Sequence, residues 1–161
     1  MRKQLLLVVL LSVVAGLISC NYRKKEKKLQ TISNPAGMIV TDKTLKDILE
    51  AFNHHDLDAI MGFFSDDCSF DFPRGPKPYG QRFTGKAQVR EALAGRFKGI
   101  PDVHYGEDVH WISADGNKGV SEWTLTGTTI SGIKLQVRGC DLWEFDNGKI
   151  TRKNSFWKIV E

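Results

Sequence analysis

No apolar run in this 161-residue chain is long enough to cross a bilayer as a helix. The N-terminal run LLLVVLLSVVAGLI falls short of the roughly 18 residues that a span requires. Internal repeats are absent, and so are low-complexity tracts beyond one basic run, which leaves a single ordinary domain. Cysteine is scarce, three residues in all, too few for a disulfide scaffold. Charge of one sign is missing from the body of the chain: from Leu29 onward, 16 Lys plus Arg face 18 Asp plus Glu. The formal charge of +4 therefore comes from the N-terminal part, chiefly NYRKKEKK, residues 21–28, with five basic residues and one acidic. A domain that grips nucleic acid needs a basic face of its own, so nucleic-acid binding is disfavoured.

The N-terminus itself is informative. MRKQ, the apolar run and a small-residue site form the pattern of a cleaved secretory signal over residues 1–19. Leu17-Ile18-Ser19-Cys20 resembles a bacterial lipobox, in which Cys20 takes the lipid and becomes the mature N-terminus. An ordinary signal peptide with an incidental cysteine is the alternative. The lipobox reading gives a chain secreted across the inner membrane and anchored at Cys20 on the cell envelope, at its periplasmic face or the cell surface. Residues 20–40 are then a basic tether, with attraction to anionic lipid heads, and residues 41–161 the domain.

About 120 residues suffice for one core. Thr41 caps an amphipathic helix carrying Leu45, Ile48, Leu49 and Phe52. Asp56 caps a second, with Leu57, Ile60, Met61 and Phe64 on its stripe. CSFDF reads as a short strand ended by Pro73, followed by the loop PRGPKPYGQRFTG, either a lid over a pocket or a long connection. KAQVREALAGRF gives a third helix, with Val89, Leu93 and Phe97 inward. Strands over 103–113, 118–130, 133–145 and 149–159 follow, turned by ADGN, SG and DNG. The fold expected is α+β: a cone-shaped, curved antiparallel sheet wrapped around three N-terminal helices, with an apolar mouth suited to a small molecule. Phe52, Phe64, Phe70, Phe97 and Trp143 belong to its core. Cys68 and Cys140 fall on opposite faces and are expected to be free thiols.

The segments NHHDLDAIMGFFSDDCSFDFP, FTGKAQVREAL and RGCDLWEFDNGKI resemble the SnoaL-like branch of the nuclear transport factor 2 superfamily, which includes ketosteroid isomerase and the polyketide cyclases. The likeness implies the cystatin-like cone over residues 42–158 and a homodimer through the sheet as in many relatives. Along the inner face it would place Asp141 and Trp143 on one strand, Lys153, Ser155 and Trp157 on the next, and Glu122, Thr124, Thr126 and Thr128 on a third. Asp141 stands where ketosteroid isomerase keeps its oxyanion-hole aspartate, a carboxylic acid held neutral by an apolar site. The catalytic residues of the relatives are not retained: Phe72 replaces the isomerase base, Ile48 its tyrosine, and Asp141 and Ser155 replace the histidine and acid of the cyclases.

Asp141 is the residue to explain, because a strand has put a carboxylate among apolar neighbours. Lys153, on the hairpin partner strand, is its natural counterion. With Glu122 and Ser155 under Trp143 and Trp157, the pair either fixes strand register or serves a pocket. Two functions remain open. One is a binding module for a small apolar molecule, lined by Phe72, Glu122, Thr126, Trp143, Ser155 and Trp157. The other is an enzyme of isomerase, cyclase, lyase or hydrolase type, moving a proton with Asp141 and Lys153. No cofactor is called for, and no metal: His104 and His110 share parity but stand about 20 Å apart along a strand, too far for one ion, and a bulge at Gly106 would change the parity without closing that gap. Either histidine could act alone as a pocket base, while His54 and His55 read as structural.

Overall fold

Thr41 opens the first helix through a capping box, each threonine hydroxyl of Thr41 and Thr44 accepting from the other's backbone N–H. The helix α1 (Asp42–Asn53) buries Leu45, Ile48, Leu49 and Phe52 along one side. Asp56 accepts from the N–H groups of Asp58 and Ala59 and so starts α2 (Leu57–Phe63). The computed structural model describes residues 39–160. The expected signal, Cys20 and nearly all of the tether lie outside the described residues.

Six strands follow, β1 (Phe64–Lys77), β2 (Gly80–Thr84), β3 (His104–Ile112), β4 (Lys118–Thr128), β5 (Lys134–Asp146) and β6 (Lys149–Trp157), with α3 (Lys86–Gly99) between β2 and β3. They form one curved sheet in the order β2-β1-β6-β5-β4-β3. Every pair is antiparallel except β1 with β6, which joins the first strand to the last in parallel. The α+β cone is therefore present, with one parallel seam.

The segment expected to be a loop after Pro73 is instead the second half of β1 and all of β2, a hairpin on the sheet edge. Pro73 and Pro76 fit because they sit where the register shifts between Phe72 and Lys77, so no ladder donor is missed. Gly80 permits the turn: it has φ +79°, and a Cβ there would come 1.8 Å from the carbonyl oxygen of Phe72. At the β5–β6 turn, Asn147 and Gly148 both take positive φ, 47° and 75°, as a two-residue hairpin requires.

The core lies between the helices and the inner face of the sheet. Phe52, Phe64, Phe70 and Trp143 are fully buried, whereas Phe97 is half-buried and stacks on His55 with ring centres 4.5 Å apart. His55 bonds the carbonyl of Val103 at 2.9 Å, a structural role. Cys68 is buried in the core, Cys140 is half-buried on the outer side of β5, and both are free.

Candidate functional site

Antiparallel pairing sets Ser121, Asp141 and Ser155 side by side on β4, β5 and β6, all facing inward. Lys153 precedes Ser155 by two residues and shares its face. Its ammonium meets Oδ1 of Asp141 as an ion pair between two buried side chains, 4% and 2% exposed. Ser155 Oγ donates to the same oxygen and accepts from Lys153 at 2.7 Å. The other carboxylate oxygen, Oδ2, accepts from Trp123 Nε1 at 3.0 Å. Gly139 makes that last bond feasible: a Cβ there would stand 2.4 Å from the Trp123 ring, so only glycine lets the indole lie across β5 toward Asp141.

The ammonium of Lys153 also faces three rings, with centres at 5.6 Å (Phe52), 5.1 Å (Phe70) and 4.9 Å (Trp143). Burial pulls Lys153 below its ordinary pKa of 10.5, and the charge and hydrogen bond of Asp141 oppose that pull. Trp143 turns its own Nε1 to Ser121 Oγ at 2.9 Å. Tyr105, beside Trp123, has its phenol pushed up to about 12 by burial, so it stays neutral.

β4 has the opposite register to the one expected. Ser121, Trp123 and Leu125 face inward, whereas Glu122 and Thr126 point outward and line no part of the inner site. Glu122 pairs with Arg138 on the outer face at 3.1 Å, and Thr124 donates to Glu107 at 2.6 Å. The cause is that Asp141 pairs with Ser121, not Glu122, and cross-strand partners share a face.

On β3, a register shift between Gly106 and Val109 separates the histidines. His104 is exposed opposite Thr126, and His110 turns inward opposite Ser121. His110 Nε2 donates to Asp108 at 2.9 Å and Nδ1 shares a hydrogen bond with Ser121 at 2.9 Å. Among the described residues no group of three metal-ligating side chains occurs.

Asp71, which alternation sends to the outer face, is fully buried there beneath two arginines. Arg82 holds it with two bonds of 2.6 and 2.8 Å, and Arg152 with bonds of 3.0 and 2.8 Å. Burial pushes its carboxyl up, but the hydrogen bonds and charges of Arg82 and Arg152 outweigh that and hold it below 3.8. This network ties β2, β1 and β6 together and has no access to the inner face.

The space inside the cone is divided in two. Around Lys153, Ser155, Tyr105 and Trp123 only about 10 Å³ is empty, about the room of one water. The mouth is open, with a cavity of about 640 Å³ between α3 and the sheet. Its origin lies in α3, where Ala92, Gly95 and Gly99 fall on one face and leave the helix surface bare. Across from them stand Leu125, Leu135 and Val137, with Phe72 and Phe83 at the side. Of the residues expected in a pocket, Phe72 and Trp157 line this cavity, and Lys153, Ser155 and Trp157 line the small inner space. Asp141 and Trp143 lie just behind Lys153.

Arg96 belongs to both walls and had no place in the sequence reading. Its guanidinium carbon sits 4.7 Å from the ring centres of both Phe72 and Trp157, on the wall that the two spaces share. The signal that would have found it is its position in α3, one residue past Gly95 and four past Ala92 on the face left bare.

The model of the SnoaL-like domain matches residues 45–153. No curated protein matches the chain. Solved structures do: a candidate polyketide cyclase from Xanthomonas campestris pv. campestris is 21% identical, with a TM-score of 0.64 over 71% of this chain and 87% of its own. A candidate isomerase from Bacillus subtilis is 22% identical, with a TM-score of 0.62 over 72% and 84%. A nuclear transport factor 2-like protein of unknown function from Burkholderia pseudomallei is 23% identical, with a TM-score of 0.62 over 72% and 88%. At these identities the likeness is one of fold. With the family match covering residues 45–153, most of the stretch from α1 to β6, the chain belongs to the SnoaL-like domain family.

Proposed function

We propose that this chain is a small-molecule binding domain whose ligand is an apolar molecule held in the open cavity. The observation that carries this reading is the cavity itself, about 640 Å³ with a mostly aliphatic and aromatic lining, the size and character of ligand pockets. The Asp141–Lys153 pair supports the floor behind it.

Gly95 supplies the test. It lines the cavity, and a Cβ built on it meets nothing within 4 Å, so Gly95→Phe adds a ring into open space. Removing a glycine from a helix interior also favours the fold by a few tenths of a kcal/mol or more. The neutral fluorophore N-phenyl-1-naphthylamine should bind the wild-type protein and quench Trp157, and Gly95→Phe should abolish binding with no loss of stability. Unchanged binding by that variant would refute the site.

Proton transfer by Asp141 and Lys153 is the second reading, favoured by Lys153 and Ser155 lining a space that shares Arg96 and Trp157 with the cavity. It predicts that a co-purifying ligand is converted by wild type and not by Asp141→Asn. Anchoring at the envelope through Cys20 belongs to the same proposal, placing the cavity outside the inner membrane. The exposed Trp111, Leu142 and Phe156 on the outer face support a homodimer through the sheet, which sedimentation velocity tests.

A further inference from the structure

The cavity lining is mostly apolar, and the charge it carries is of one sign. Its lining contains two arginines, Arg74 and Arg96, and neither an aspartate nor a glutamate. Both guanidinium groups lie over the ring of Trp157, at 5.5 and 4.7 Å from its centre. Arg96 is held by ring faces instead of by an anion, since Phe72 covers it at 4.7 Å as well. Its Nη1 is buried and has no hydrogen-bond partner among the described residues. A buried donor left without an acceptor is uncommon and costly in a folded protein, more so when it carries charge. The neighbouring ion pair does not relieve it, because Asp141 is already taken by Lys153, Ser155 and Trp123. Positive charge on Arg96 in fact adds to the downward pull on Lys153. Lys153, Arg96 and Arg74 therefore stand against the single carboxylate of Asp141, which Lys153 already neutralises, and the two arginines left over line the cavity.

We propose that Arg96, assisted by Arg74, is an anion-recognition element, and that the cavity takes an apolar molecule ending in a carboxylate. The inference rests on the cavity being a ligand site. The planar fork of a guanidinium matches a carboxylate with two parallel hydrogen bonds. Phe72 and Trp157 hold the guanidinium in place before the ligand arrives, which lowers the ordering cost of binding. The aliphatic wall of Leu125, Leu135 and Val137 then takes the body of the acid. A neutral ligand of the same shape would leave the arginine unsatisfied, so discrimination between acid and alcohol is built into the site.

The experiment displaces bound N-phenyl-1-naphthylamine with decanoate and with decan-1-ol, two probes with the same chain and different heads. Wild-type protein should prefer decanoate by about ten- to a hundredfold, the range expected for a charge-assisted pair. Arg96→Gln should remove most of that preference, read as the ratio of the two displacement constants in the same variant. Arg96→Lys, which keeps the charge and loses the fork, should fall between, and Arg74→Gln should have the smaller effect. Retained binding of the neutral reporter shows that each variant is folded. Equal displacement by the two probes in wild type, or an undiminished preference in Arg96→Gln, overturns the anion assignment and leaves the cavity reading standing. Failure of the reporter to bind wild type overturns both.

Discussion

Replacing Asp141 by Asn removes one charge from a buried pair and changes almost nothing else in shape. The amide that results could still accept from Trp123 and contact Ser155, but Lys153 would remain an ammonium in an apolar site, 4% exposed, without a counterion. Breaking a buried pair from one side costs about 3–5 kcal/mol. Lys153→Met should cost a similar amount, because Asp141 then keeps only a hydroxyl and an indole as donors. The double variant Asp141→Asn/Lys153→Met leaves no uncompensated charge, so it should cost about 1–2 kcal/mol, far less than the sum. Urea unfolding at pH 7, followed by circular dichroism, reads all three. The pH dependence adds a second check. Lys153 has a folded pKa below its unfolded one, so between the two the unfolded chain binds more protons and stability rises with pH. Asp141 opposes that lowering, so its removal drops the folded pKa further and extends the window downward. The Asp141→Asn deficit should therefore shrink as the solution is made alkaline. Single-variant costs below about 1 kcal/mol, or strict additivity, would refute the buried ion pair.

On the outer face, Asp71→Asn should destabilise by about 1–3 kcal/mol at neutral pH, a discounted figure because both arginine partners are partly exposed. A carboxyl held below 3.8 contributes its full stability above that value and loses it as pH falls through the lowered one, so the gap between variant and wild type should close in acid. Thermal melts from pH 7 to pH 2 check this. At the N-terminus, mass spectrometry of the membrane fraction should find a diacyl or triacyl Cys20 as the first residue, and a soluble product cleaved elsewhere would contradict the anchor.

Alternation makes much of the site legible. Asp141, Trp143, Lys153, Ser155 and Trp157 all face inward as expected, because hairpin β5–β6 is pinned by its DNG turn and by large apolar residues of one parity. β4 departs from expectation because Thr124, Thr126 and Thr128 suit a strand on either face, while Trp123 and Leu125 carry the true parity. Thr41, Asp56 and the apolar stripes mark the helices. The β1–β2 hairpin is hidden by its glycines and prolines, which normally punctuate loops, and only the close approach at Gly80 shows why they suit a strand pair. The cavity is not legible, since it arises from side chains that are missing on α3 rather than from any residue that is present. Arg96 is hidden for the same reason: on a helix surface an arginine reads as solvated until a hollow is found beneath it.

Amide chemical-shift mapping of the labelled protein with bound N-phenyl-1-naphthylamine would locate the ligand directly. Shifts are predicted at Gly95, Arg96 and Gly99 of α3 and at Leu125, Leu135 and Val137 of the facing strands, with Trp157 at the inner end. Shifts confined to the outer face, at Trp111, Leu142 and Phe156, would contradict a ligand site inside the cone.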